Sequence, residues 1–164
     1  MNTIIFFLIL LELIYVGWSD IKNKKISNYW IFVNVGLSLV FYSFLPDPYL
    51  LSWGILLFPA CFIVMGFLLF LLKIMGAGDS KFLASLFLVI PTEFHILFFE
   101  KLIQATLFTG LILLTVKIFN QRNMIKAYLI NRHWSGMRDL MKSNFSYAPV
   151  VVISWLLVGF DIWK

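Results

Sequence analysis

Apolar residues fall in long runs along this chain, separated by short polar stretches, rather than in the alternation of a half-buried strand. A helix needs roughly 20 apolar residues to cross a bilayer, and runs near that length predict an all-α polytopic membrane protein. Six transmembrane helices fit, in one domain over residues 1–164. The first covers about residues 3–18, the second 29–45 and the third 50–72. Pro46-Asp47-Pro48 forces a turn between the second and third, because proline disfavours helix at the residue before it. Pro59 predicts a kink that neighbouring helices accommodate. The fourth run starts near Asp79 and stops at Pro91, and its eleven residues from Ser80 to Ile90 cover about 17 Å of a roughly 30 Å hydrocarbon core. Either that helix starts below the lipid surface, which is the preferred reading, or it continues kinked through Pro91 to Phe99. The fifth ends near Phe119, a basic segment occupies about 120–144, and the sixth covers about 149–160, with Pro149 in its first turn.

Composition agrees: 62% of the 164 residues are hydrophobic and only 13% charged. The single cysteine, Cys61, rules out an internal disulfide framework and a cysteine-based zinc site. The net charge of +5 bears first on topology, since cytoplasmic loops are enriched in lysine and arginine. With the amino terminus outside, Lys22, Lys24, Lys25, Lys73, Lys81, Lys117, Arg122, Lys126, Arg132, Arg138 and Lys142 share one side, leaving Lys101 and Lys164 on the other. The basic residues are spread over several short loops, so nucleic acid is a poor candidate partner. No basic residue precedes the first run and three lysines follow it, the reverse of a signal peptide, so that run is expected to be retained.

On this topology Asp20 and Asp79 lie at the inner ends of helices, on the same face. Asp79 stands in Gly76-Ala77-Gly78-Asp79-Ser80-Lys81, six small or charged residues between two apolar runs. Ionisable groups at membrane depth are functional candidates by default. The glycines lack Cβ atoms and permit close approach and unusual backbone angles around the carboxylate. The plainer reading of Asp79 is a helix cap. The second aspartate favours chemistry. Two carboxylates brought together at a wet membrane edge cannot both ionise cheaply, so one keeps a proton while the other is a base. That arrangement suits aspartic peptide hydrolysis and requires neither metal nor other cofactor. Asp79 begins a helix and Asp20 ends one, so the helix dipole favours Asp79 as the base and Asp20 as the acid.

The Gly76 to Lys81 stretch resembles the GxGDxK signature of the type IV prepilin peptidases, and residues 19–28, Ser-Asp-Ile-Lys-Asn-Lys-Lys-Ile-Ser-Asn, resemble that family's first aspartate box. The likeness covers nearly the whole chain. Asn28 is kept, Ser27 stands where the family has proline, and Tyr147-Ala148-Pro149 resembles the approach to the last span, with Ser146 where a proline is common. The resemblance implies a membrane aspartic endopeptidase of the inner, cytoplasmic membrane that removes the short basic leader of prepilin-like precursors. Asp20 and Asp79 would be catalytic, with Gly76, Gly78, Lys81 and Asn28 supporting or binding substrate. The first cytoplasmic loop is short and lacks cysteine, which resembles the tight-adherence form and implies no N-methylation.

Glu12, two turns before Asp20, either tunes the aspartates or only packs two helices. His95, Glu93, Glu100 and Lys101 are expected to form an outer interfacial rim, with no metal-ligand spacing among them. Ile130, Trp134, Met137 and Met141 recur at helical intervals among basic residues, as in an amphipathic helix lying on the bilayer. The competing function is a small proton- or cation-coupled transporter using the same carboxylates. A transport path needs polar groups through the whole membrane, and the second, third and sixth spans are expected to offer almost none.

Overall fold

The apolar runs become helices in the computed structural model, which describes residues 3–44, 49, 53–71, 75–120 and 146–164. In chain order these are α1 (Thr3–Asn23), α2 (Tyr29–Phe44), α3 (Gly54–Leu71), α4 (Ala77–Val89), a short 3-10 turn (Thr92–Phe94), α5 (His95–Asn120) and α6 (Ala148–Ile162). No strand occurs among the described residues. Thr3–Asn23, Gly54–Leu71 and Thr92–Asn120 are long and apolar enough to cross a membrane, while α2 and α6 are shorter apolar helices. Over the described residues the chain is therefore all-helical, with helices that fit a membrane. The expected turn at residues 46–48 and the amphipathic helix beyond Asn120 lie outside the described residues.

Two groups of helices share one core. α6 packs against α1 and α5, and α4 packs against α2 and α3. α4 carries the organisation: Ser80, Val89 and every residue from Phe82 to Phe87 are buried, as expected of a helix that is apolar all round. α3 does the opposite and leaves Leu56, Leu57, Ile63, Val64, Met65 and Phe67 exposed, the pattern of a helix facing lipid. Phe87 sits where the two groups meet, with its ring against Phe58, Phe62 and Phe98. Phe98 in turn meets Trp155 of α6.

α4 is only 13 residues long, about 20 Å at 1.5 Å per residue. It ends at Ile90 and Pro91 rather than continuing kinked. An end buried in protein needs partners for its last carbonyls. Tyr49 supplies one by donating its hydroxyl to Val89 O at 2.8 Å, and the His95 ring bonds Ile90 O at 2.9 Å. His95 thus departs from the expected interfacial rim. It is 1% exposed and stands edge-on to Phe58 and Phe87, because a buried helix end outcompetes the membrane surface for its nitrogen. Glu93 and Glu100 are exposed, and Lys101 pairs with Asp161 of α6.

α3 approaches α4 through Gly66. A Cβ built there would overlap Ser80 Cβ, so the contact admits no side chain. We expect Gly66→Ala to lower thermal stability in detergent by about 1–3 kcal/mol, the range for overpacking a tight contact. Gly36→Ala on α2, where a Cβ meets nothing within 4 Å, should be neutral or stabilising by up to about 1 kcal/mol.

Candidate active site

Asp20 lies in the last turn of α1 and is only 3% exposed. Its backbone and its carboxylate are both held. Lys24 takes a left-handed φ of 50° just past the end of α1, and its N–H donates to Asp20 O at 2.7 Å, a C-terminal αL cap of the kind usually made by glycine. Ser146 Oγ donates to the same carbonyl at 3.1 Å. The Asp20 side chain accepts the N–H of Ala148 at 3.2 Å through Oδ2. Ala148 opens α6, so that N–H is one of the donors a helix start leaves without an internal partner.

Asp79 occupies the third position of α4, behind an N-cap at Gly76. Its Oδ2 accepts the Gly76 N–H at 3.2 Å, the return half of a capping box. Asp79 is therefore not the N-cap that the plainer reading expected, but it reaches back from the third helical position to bond the N-cap residue. Among the described residues no glycine has positive φ, so the expected unusual backbone angles are absent at Gly76 and Gly78. Close approach is what the glycines supply. A Cβ on Gly78 would lie 3.2 Å from Ile26 O, which presses the segment after α1 onto the first turn of α4.

These contacts bring Asp20, Asp79, Gly76 and Gly78 to one end of the bundle. The two carboxylates are close enough for their charges to interact, and Tyr147 lies within the same electrostatic reach of Asp79. The Tyr147 hydroxyl is 2.9 Å from Thr106 Oγ1 of α5, so α5 helps to fix that wall. Asn28 and Lys81 are exposed. Asn28 contributes its carbonyl to Ile31 N at the start of α2. Beside Asp79 an apolar groove of about 390 Å³ opens between α3 and α4, lined by Phe58, Phe62, Gly66, Met75, Ser80 and Tyr147 among others.

Two substituted positions turn out to be bonded. Ser27 accepts the Tyr29 N–H on its hydroxyl at 3.3 Å and so helps to start α2 without a proline. Ser146, in the other position, is the residue that ties the approach to α6 onto Asp20. Sequence reasoning missed Ser146 and Ala148 as partners of Asp20, since they lie more than 120 residues away in the chain. It also missed Asn34, a polar residue inside the second span and fully buried, whose signal was legible in the sequence.

A helical membrane protein with two carboxylates at one end of its bundle is the class this geometry defines. The chain matches the model of the type IV leader peptidase family over residues 5–117, well over half its length and including both aspartates, and it belongs to that family. It is therefore a protease, and its family processes prepilin-like substrates; the transporter reading gains no support. No curated protein matches the chain, and no solved structure does.

The Ser146 hydroxyl is one of two donors on Asp20 O, so its loss should be felt but not fatal. Ser146→Ala is expected to cost about 0.5–1.5 kcal/mol, the net worth of one hydrogen bond, and to slow cleavage a few-fold. Thermal unfolding and cleavage rates in detergent check both.

Proposed function

We propose that this chain is a membrane aspartic endopeptidase that cuts the short basic leader from prepilin-like precursors at the cytoplasmic membrane face, with Asp20 and Asp79 as its catalytic pair. The observation that carries this reading is that two carboxylates from separate helices lie at one end of the bundle within range of each other's charge, each already accepting a backbone N–H. In the proposed reaction the ionised aspartate takes a proton from water as the water oxygen bonds to the scissile carbonyl carbon. The protonated aspartate stabilises the developing oxyanion, then passes a proton to the amine as the carbon–nitrogen bond breaks. No cofactor is needed.

The helix-dipole reason for separating the two roles is weakened by the structure. Asp20 ends α1 but also receives the first N–H of α6, so both carboxylates sit at a helix N-terminus. Accessibility separates them instead. Asp79 is half-buried whereas Asp20 is buried, which leaves Asp79 better placed to meet water and act as the base, with Asp20 as the acid.

Six spans over a single domain of residues 1–164, an external amino terminus and placement in the inner membrane complete the reading, supported by the lysine and arginine asymmetry of the loops. α4 would be the short fourth span. The short cysteine-free first loop supports the tight-adherence-like form without methyltransferase activity. Gly76 and Gly78 support the site by close packing, and Lys81 and Asn28, exposed at the same end, are proposed to meet substrate.

Asp20→Asn and Asp79→Asn should each reduce leader cleavage of a co-expressed prepilin by at least about a thousandfold, in line with removing a catalytic group that acts in a pair, while the protein still accumulates in the membrane. Substantial cleavage by either variant would refute the aspartic mechanism. Mass measurement of the product should find a free amino terminus. One added methyl group that depends on this chain would contradict the second part of the reading.

A further inference from the structure

α1 packs chiefly on α6, whereas α4 packs between α2 and α3. The offset between Asp20 and Asp79 is therefore set by what links the two groups, the contact of Ile26 with Gly78 beside the site and the side chains that bridge deeper in the bundle. Among the described residues one polar bridge links α1 to α4, by way of α2. Glu12 of α1, Asn34 of α2 and Ser85 of α4 are 9%, 0% and 4% exposed. One amide atom of Asn34 lies 2.6 Å from Glu12 Oε1 and 3.1 Å from Oε2, and the other lies 3.0 Å from Ser85 Oγ. Eight residues of helix, about 12 Å, separate Glu12 from Asp20, and six residues, about 9 Å, separate Ser85 from Asp79. The bridge thus crosses the bundle one layer below the carboxylates.

The bridge closes whether or not Glu12 carries a proton. With the proton, Glu12 donates to the Asn34 carbonyl, the Asn34 amide donates to Ser85 Oγ, and Ser85 donates to Phe82 O at 2.8 Å. Without it, the amide turns over, donates to both Glu12 oxygens and accepts from Ser85. Each state satisfies the buried polar groups of the three side chains.

We propose that Glu12, Asn34 and Ser85 are positioning residues that fix the offset of Asp20 against Asp79 through hydrogen bonding and not through charge. The proposal rests on the catalytic reading of those aspartates, and its test separates the two. In full-length Cys61→Ser protein, spin labels at Trp18→Cys and Lys81→Cys, both exposed positions, report the distance between the ends of α1 and α4. Unlabelled variants give kcat and KM for leader cleavage. Asn34→Leu should broaden or shift the distance distribution and lower kcat at least about tenfold with KM within about twofold, because misplaced groups cost orientation rather than binding. Glu12→Gln, whose amide can donate and accept, should retain the wild-type distance and kcat. Ser85→Ala removes only a hydroxyl from a small buried site, so it tests the bridge even where Asn34→Leu fails to fold, and should change both readouts in the same direction. An unchanged distance in Asn34→Leu or Ser85→Ala overturns the proposal, as does a loss confined to KM or a Glu12→Gln enzyme as impaired as Asn34→Leu. A shifted distance with catalysis surviving Asp20→Asn and Asp79→Asn would uphold the bridge and remove only the catalytic reading.

Discussion

The structure depends on burying a helix shorter than the hydrocarbon core is thick. α4 has 13 residues and buries nearly all of its length, so its carboxyl end, with Val89 and Ile90 fully buried, cannot rely on solvent. Backbone groups left without partners in such a place cost several kcal/mol each. At the carboxyl end, Tyr49 and His95 meet the carbonyls of Val89 and Ile90. At the amino end, Asp79 answers the Gly76 N–H. The same short length that creates the problem sets the amino end of α4, and with it Asp79, among the ends of other helices, where α1 delivers Asp20.

The Asp20 side of the site is built by the far end of the chain. α6 buries Trp155 against Phe6 of α1 with the rings stacked at 5.2 Å, and the Trp155 indole N–H bonds Phe6 O. With α6 so fixed along α1, its first N–H reaches the Asp20 carboxylate and Ser146 reaches the Asp20 carbonyl. Apolar packing in the middle of the helix pair therefore aims the polar groups at its end. The family match stops at residue 117, so this support for Asp20 lies beyond the matched region.

Much of this was legible in the sequence because membrane helices announce themselves as apolar runs: α2, α3 and α6 fall within a few residues of their expected bounds. The halt at Pro91 was also readable, since proline removes a helix donor. Asp20 and Asp79 stood out as carboxylates at run ends. What periodicity could not show was which faces meet, because a run that is apolar all round carries no direction. For that reason the centrality of α4 was not foreseen, nor the burial of His95, which looked like a rim residue because it neighbours Glu93 and Glu100. Asn34 was passed over for a different reason: one amide in a long apolar run reads as an exception until its partners on α1 and α4 are known.

The central claim is that the ends of α1 and α4 hold their two aspartates close enough to act on one peptide bond. Asp20→Cys and Asp79→Cys in a Cys61→Ser chain, treated in native membranes with thiol cross-linkers of graded length, measure it directly. The account predicts efficient cross-linking by the shortest reagents, abolished when either cysteine is absent. Cross-linking only by long reagents, or none while each single cysteine still reacts, would contradict it.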